Sequence, residues 1–197
     1  MTITAEMVKK LRDMTGAGMM ECKKALTDTN GDINKAVDAL RTAGIAKAEK
    51  RADRATSQGR VESYIHDSRI GVLIEVNCET DFVARTDDFG KLVRDLAMQA
   101  AAANADYVRR EEVPAERVER ERAIYAEQIK NEGKPAAMIE KISEGKLNKF
   151  YGECCLMEQA FIKDDKKTVG DLVKEVSSKC GENIVVRRFV RFRLGAE

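Results

Sequence analysis

The sequence predicts an α+β protein: three short helices over residues 1–45, a charged linker over 46–60, and a core domain over 61–197 in which a small three-stranded antiparallel sheet packs with helices. Three observations carry this reading. Apolar residues recur at helical spacing, between recognisable caps, as far as Gly44. Strict alternation then takes over in two runs around the polar turn Asp67-Ser68-Arg69. A β-branched and aromatic run from Ile184 to Phe192 closes the chain.

In order along the chain, Thr4 is placed to cap the first helix, with Ile3 ahead of it to pack on Val8 as a hydrophobic staple. Met7, Val8, Leu11 and Met14 follow at helical spacing, and Thr15-Gly16-Ala17-Gly18 breaks the pattern. A second helix over Met19 to Asp28 turns Cys22, Ala25 and Leu26 inward. Met19 and Met20 point about 100° apart, so one is expected in the core and the other at the surface. Asn30-Gly31 supplies a turn and Asp32 a cap. Ile33, Ala36, Val37 and Leu40 then form a stripe that stops near Gly44. So few large side chains make a marginal core. The alanine-rich, charged linker is expected to be solvated and helical in its first part.

In the core domain Val61, Ser63 and Ile65 alternate with Glu62, Tyr64 and His66, and Ile70, Val72, Ile74 and Val76 share one face of a second strand. Thr86-Asp87-Asp88 starts a long helix with acids at its positive end, and Phe89, Leu92, Val93, Leu96 and Ala100 line it. Residues 115–130 are helical with a narrow seam of Val118, Tyr125 and Ile129, Ile124 beside it. The helix is read as solvated, with pairing left open. Gly133-Lys134-Pro135 ends it and starts another, with Met138, Ile139 and Ile142 inward. Thr168 and Asp171 stand at capping-box spacing before Leu172, Val173 and Val176. In the last strand the even positions from Ile184 to Val190 oppose the odd ones. Three strands leave exposed edges and an apolar face that a second copy would cover, so a homodimer is expected.

Composition narrows the chemistry. Among 197 residues, 35 Lys and Arg face 34 Asp and Glu, a net charge of +1 that gives little long-range attraction for nucleic acid or an anionic membrane. His66 is the only histidine, which excludes a two-histidine metal site. Cys22, Cys78, Cys154, Cys155 and Cys180 form no C-x-x-C pair and read as reduced thiols of a cytoplasmic protein. The N-terminus does not read as a signal peptide, and no apolar run reaches membrane-spanning length. Gly-Lys at Gly90, Gly133 and Gly145 is never followed by Ser or Thr, so no phosphate loop is present, nor is G-x-S-x-G or H-E-x-x-H. No enzyme, cofactor or metal centre is expected. Arg187, Arg188, Arg191 and Arg193 read as a solvated strand face. The alternative function makes them the patch of a ribosome- or RNA-associated protein. A thiol enzyme would need an acidic, exposed cysteine.

One segment breaks a local rule. Directly after the second strand comes Asn77-Cys78-Glu79-Thr80-Asp81-Phe82-Val83-Ala84-Arg85, an aromatic between an acid and a β-branched residue in a loop. Periodicity alone would tuck Phe82 under its own helix. The other reading makes it an anchor, beside a carboxylate, for a partner's pocket. Met19-Met20 poses the same choice, because flexible thioethers suit an adaptable partner surface.

LRDMTGAGMMECKKAL at 11–26, EVNCETDFVAR at 75–85 and KTVGDLVKEVSSKCGENIVVRRFVRF at 167–192 together resemble the bacterial elongation factor Ts family in its short form, the guanine-nucleotide exchange factors of elongation factor Tu. The resemblance implies that the N-terminal helices are ubiquitin-associated-like and dock on the partner's GTPase domain, with Leu11, Met19 and Met20 in the docking surface. It implies that Thr80, Asp81, Phe82 and Val83 reach the magnesium side of the partner's nucleotide site. Phe82 would wedge between side chains there, and Asp81 would disturb the magnesium-side contacts. GDP release would then need no covalent chemistry, since factor and nucleotide weaken each other equally by linkage. Longer members carry a duplicated core subdomain. The short form implies that two subunits assemble an equivalent core, in line with the homodimer.

Overall fold

The computed structural model describes residues 3–131 and 136–196. Among them the elements run α1 (Ala5–Thr15), α2 (Met19–Asp28), α3 (Ile33–Glu49), β1 (Gln58–His66), β2 (Ile70–Cys78), α4 (Asp81–Ala84), α5 (Asp87–Ala102), α6 (Ala115–Asn131), α7 (Ala136–Cys154), β3 (Ala160–Phe161), β4 (Asp164–Thr168), α8 (Val169–Cys180) and β5 (Ile184–Arg193). The expected antiparallel three-stranded sheet has the order β1-β2-β5. A separate β3-β4 hairpin escaped the sequence reading, because β3 has only two residues and shows no alternation. Two compact units share the chain. One comprises Met1–Arg60, Val76–Leu92 and Asp171–Val185, the other Val61–Glu75, Val93–Gly170 and Val186–Glu197.

In the first unit the local signals act as their chemistry requires. Thr4 accepts from the Met7 amide, and Gly16 closes α1 at φ +68° with its amide on the Arg12 carbonyl, a left-handed conformation that glycine adopts without a Cβ penalty. Asp32 caps α3 through the Lys35 amide. Val8, Leu11, Cys22, Ala25, Leu26 and Ala36 form the core of the three helices, with Ile3, Met7, Val37 and Leu40 packed around it. Met14, expected inward, is exposed at the end of α1. Nor does α3 stop near Gly44. It runs on to Glu49, and Gly44 marks a close approach instead: a Cβ there would meet Ser178 Oγ of α8 at 2.7 Å. The segment after α3 is tied down rather than free. Arg51 donates to the Ser177 carbonyl (3.1 Å), and the Asn183 amide donates to the carbonyls of Ala52 (3.0 Å) and Arg54 (2.9 Å).

Within β2, Val72, Ile74 and Val76 are buried as alternation predicts, and α5 buries Phe89, Leu92, Val93, Leu96 and Ala100. Helix α6 is paired, not solvated. The Arg117 guanidinium lies 5.4 Å from the Phe150 ring centre, Lys146 donates to Gln128 (3.1 Å), and the two helices therefore run antiparallel. The narrow seam of α6 finds its complement in Leu147, Phe150 and Cys154 of α7, which no local pattern in α6 could reveal. On α7, Ile139 and Ile142 are half-buried but Met138 is exposed, because the inward stripe passes through Ser143, Leu147 and Phe150. The expected turn at Gly133-Lys134-Pro135 lies outside the described residues.

In β5 the alternation changes phase. Ile184 and Val186 are buried, after which Phe189 and Arg191 take the half-buried positions. Arg191 points inward to the Ala103 carbonyl (2.5 Å) and Asn104 (3.0 Å), while Arg188 meets Glu75 (2.7 Å) on the opposite face. That outer face carries exposed Val61, Ile65, Leu73, Val190 and Phe192.

Candidate functional site

β2 delivers the chain to Thr80, whose extended backbone and side-chain oxygen, accepting from Val83 N at 3.4 Å, start the four-residue helix α4. What reads as a loop is thus one capped helical turn. Asp81 pairs with Arg85 across it at 3.0 Å. Ala84 takes the buried position of this turn and Val83 a half-buried one, leaving Phe82 at 80% exposure. A single turn offers no underside broad enough for a phenyl ring, so the tucked reading of Phe82 fails.

The turn is held from several sides. The Glu182 carboxylate accepts from the amides of Glu79 (3.1 Å) and Thr80 (3.0 Å) and from the Thr80 hydroxyl (2.6 Å). Glu79 in return accepts from the Asn183 amide at 2.6 Å. The Cys78 thiol donates to the Thr80 carbonyl (3.1 Å), and Arg60 Nε donates to the Ala84 carbonyl (2.5 Å). No local spacing marks Glu79, Glu182 and Asn183 as site residues. Glu79 lies about a hundred residues before the adjacent pair Glu182 and Asn183, and the one sequence signal for them is their place in the motifs at 75–85 and 167–192.

Both methionines at the start of α2 are exposed, Met19 at 48% and Met20 at 76%, so neither is the core residue that the spacing predicted. The inward places at that end of the bundle belong to Ala17 and Cys22. Leu11, by contrast, is fully buried in the bundle core and presents no surface to a partner.

Elsewhere the reactive groups are subdued. Burial pushes the Cys78 thiol up to about 11 and the Cys155 thiol up to about 12, and also raises Cys154 and Cys180, so thiolate is scarce at neutral pH. His66 is exposed and stacks on Tyr64, whose hydroxyl lies 3.2 Å from Nδ1. An open cleft of about 830 Å³ is lined by Gln99, Arg117, Phe150, Cys154 and Gln159, but its polar groups are engaged within the protein. Gln99 binds Gln159, the Ala160 carbonyl and the Ile162 amide, and Arg117 binds Asp106. Among the described residues no three His, Cys, Asp or Glu side chains gather into a metal-binding group, and no helix is long and apolar enough to cross a membrane.

Residues 3–196 match the family described as Elongation factor TS. The chain is 59% identical over 194 residues to elongation factor Ts of Syntrophomonas wolfei subsp. wolfei, covering 98% of this chain and 91% of that one. It is 60% identical over 196 residues to elongation factor Ts of Geobacter sulfurreducens (99% and 91% covered), and 56% identical over 196 residues to that of Desulfotalea psychrophila, both chains covered completely. A match of this extent and identity leaves one conclusion: the chain belongs to the elongation factor Ts family of translation elongation factors.

Proposed function

We propose that the protein is a guanine-nucleotide exchange factor for elongation factor Tu, acting in the cytoplasm without covalent chemistry or a cofactor of its own. The observation that carries this is Phe82, 80% exposed on an anchored turn beside Asp81. Burying a phenylalanine side chain is worth about 1.5–3 kcal/mol, which the free protein forgoes and a partner's pocket would recover. Phe82 wedges between partner side chains and Asp81 disturbs the contacts on the magnesium side of the nucleotide. GDP affinity falls by the same coupling free energy with which GDP weakens the factor. The helices of residues 1–45 serve as the ubiquitin-associated-like docking module ahead of a core at 61–197. Met19 and Met20 touch the partner's GTPase domain, while Leu11 supports them from within.

The outer sheet face with Val61, Ile65, Leu73, Val190 and Phe192 is the surface on which a second copy packs, giving the homodimer. Direct nucleic-acid binding is disfavoured by the engagement of Arg188 with Glu75 and of Arg191 with Ala103 and Asn104. The test is stopped-flow release of fluorescent GDP from elongation factor Tu. Acceleration that saturates with factor concentration is expected, and release at the spontaneous rate would overturn the proposal.

A further inference from the structure

An exposed wedge is effective only if its backbone does not yield when it is pressed. The α4 turn has four residues, too short to be stable by its own hydrogen bonds. Arg60 holds its C-terminal end through the Ala84 carbonyl, and the denser set of bonds lies at its N-terminal end. Three hydrogen bonds converge there on one carboxylate: Glu182 accepts from Glu79 N, Thr80 N and Thr80 Oγ1 at 3.1, 3.0 and 2.6 Å. Charge-assisted bonds of this kind are roughly twice as strong as neutral ones. The arrangement is reciprocal, because the Glu79 carboxylate accepts from Asn183 N at 2.6 Å, next in sequence to Glu182. Glu182 is itself fixed: its carbonyl accepts from Ser177 Oγ at 2.5 Å, and the Asn183 side chain holds two carbonyls of the 52–54 segment. Two backbone segments about a hundred residues apart are thus clasped by each other's carboxylates, and the clasp ends two residues short of Phe82.

We infer that Glu182 is a positioning residue for nucleotide exchange: it makes no contact with the partner's nucleotide but holds the Thr80–Val83 turn rigid, so that Phe82 transmits force instead of swinging away. The inference rests on the exchange reading above. Preorganisation lowers the ordering cost paid when the wedge enters its pocket, so loss of the clasp would depress the maximal exchange rate more than the affinity for the partner.

The experiment uses the full-length protein and elongation factor Tu loaded with fluorescent GDP, comparing wild type, Glu182→Gln, Phe82→Ala and the double variant. Glu182→Gln retains the size but loses the charge and one acceptor oxygen. It is expected to lower the saturating release rate about tenfold, the scale of one weakened charge-assisted bond, with the half-saturating concentration changed less than about twofold. Amide hydrogen exchange at Glu79 and Thr80 should quicken by a similar factor while the global unfolding midpoint falls by only about 3–6 °C and the protein stays folded under assay conditions. Because Glu182 acts through the wedge, the double variant should be no slower than Phe82→Ala alone. A wild-type saturating rate in Glu182→Gln, additive losses in the double variant, or a loss confined to half-saturation would each overturn the positioning role. Failure of wild type to accelerate release, or full activity of Phe82→Ala, would overturn the exchange reading itself and is read from the same traces.

Discussion

Truncating Phe82 separates surface function from folding, because the ring is 80% exposed in the free protein. Little apolar area is uncovered on unfolding, so Phe82→Ala should alter folding stability by less than about 0.5 kcal/mol. For a chain of this size that is a shift in melting temperature of about 1–2 °C. On the proposed exchange role the same ring fills a partner's pocket, and removal of an aromatic anchor there costs about 2–4 kcal/mol. That corresponds to a loss of roughly 30- to 1,000-fold in the second-order rate of factor-stimulated GDP release. The assay is stopped-flow release of fluorescent GDP across a range of factor concentrations, with melting followed on the same preparations. Wild-type exchange by Phe82→Ala would refute the reasoning. So would a loss of exchange matched by a large fall in melting temperature, since the ring would then be a folding element.

Other substitutions probe the neighbouring inferences. Leu11→Ala opens a cavity in the buried core of the three helices and should destabilise the N-terminal helices by about 2–5 kcal/mol, visible as an early loss of helical circular dichroism. Met20→Ala should leave that melting within about 0.5 kcal/mol of wild type and weaken partner affinity instead, as isothermal titration can measure. Phe192→Glu places a charge on the exposed sheet face and should shift the mass by light scattering from dimer to monomer, whereas a monomeric wild type would dismiss the dimer outright. The folded Cys155 thiol titrates near 12 against an ordinary 9.0, so the folded state holds its proton more tightly than the unfolded one. This contribution to stability is complete below pH 9 and is lost as pH rises towards 12. Iodoacetamide labelling of Cys155 at pH 8 should accordingly be at least about tenfold slower in native protein than in urea, followed by mass spectrometry.

Where a signal is local, the residues announced the structure. Thr4 and Asp32 cap α1 and α3 as their spacing predicts, and Gly16 falls in the predicted break, because a cap is decided by atoms within four residues of it. The stripes of α5 and β2 followed for the same reason: burial of one face imposes its period on the chain. Gly44 misled because a glycine that ends a helix and one that admits a neighbouring helix look alike without Ser178 in view. Helix α6 misled because its seam is too narrow to bury itself, and its partner stripe lies on α7. Of the candidate site, Phe82 was legible as an anomaly, but its exposure was not, and Leu11 shared a motif with the methionines while belonging to the core.

The sequence by itself determined the family, the α+β class, the caps and the order of the main elements, since these depend on residue types at short spacing or in long ordered motifs. Only the tertiary structure decided which apolar residues face solvent and what holds the Thr80–Val83 turn. The Glu182 carboxylate meets the Thr80 amide across some hundred residues of chain, and such closure follows from the packing of the intervening elements, not from either residue's neighbours.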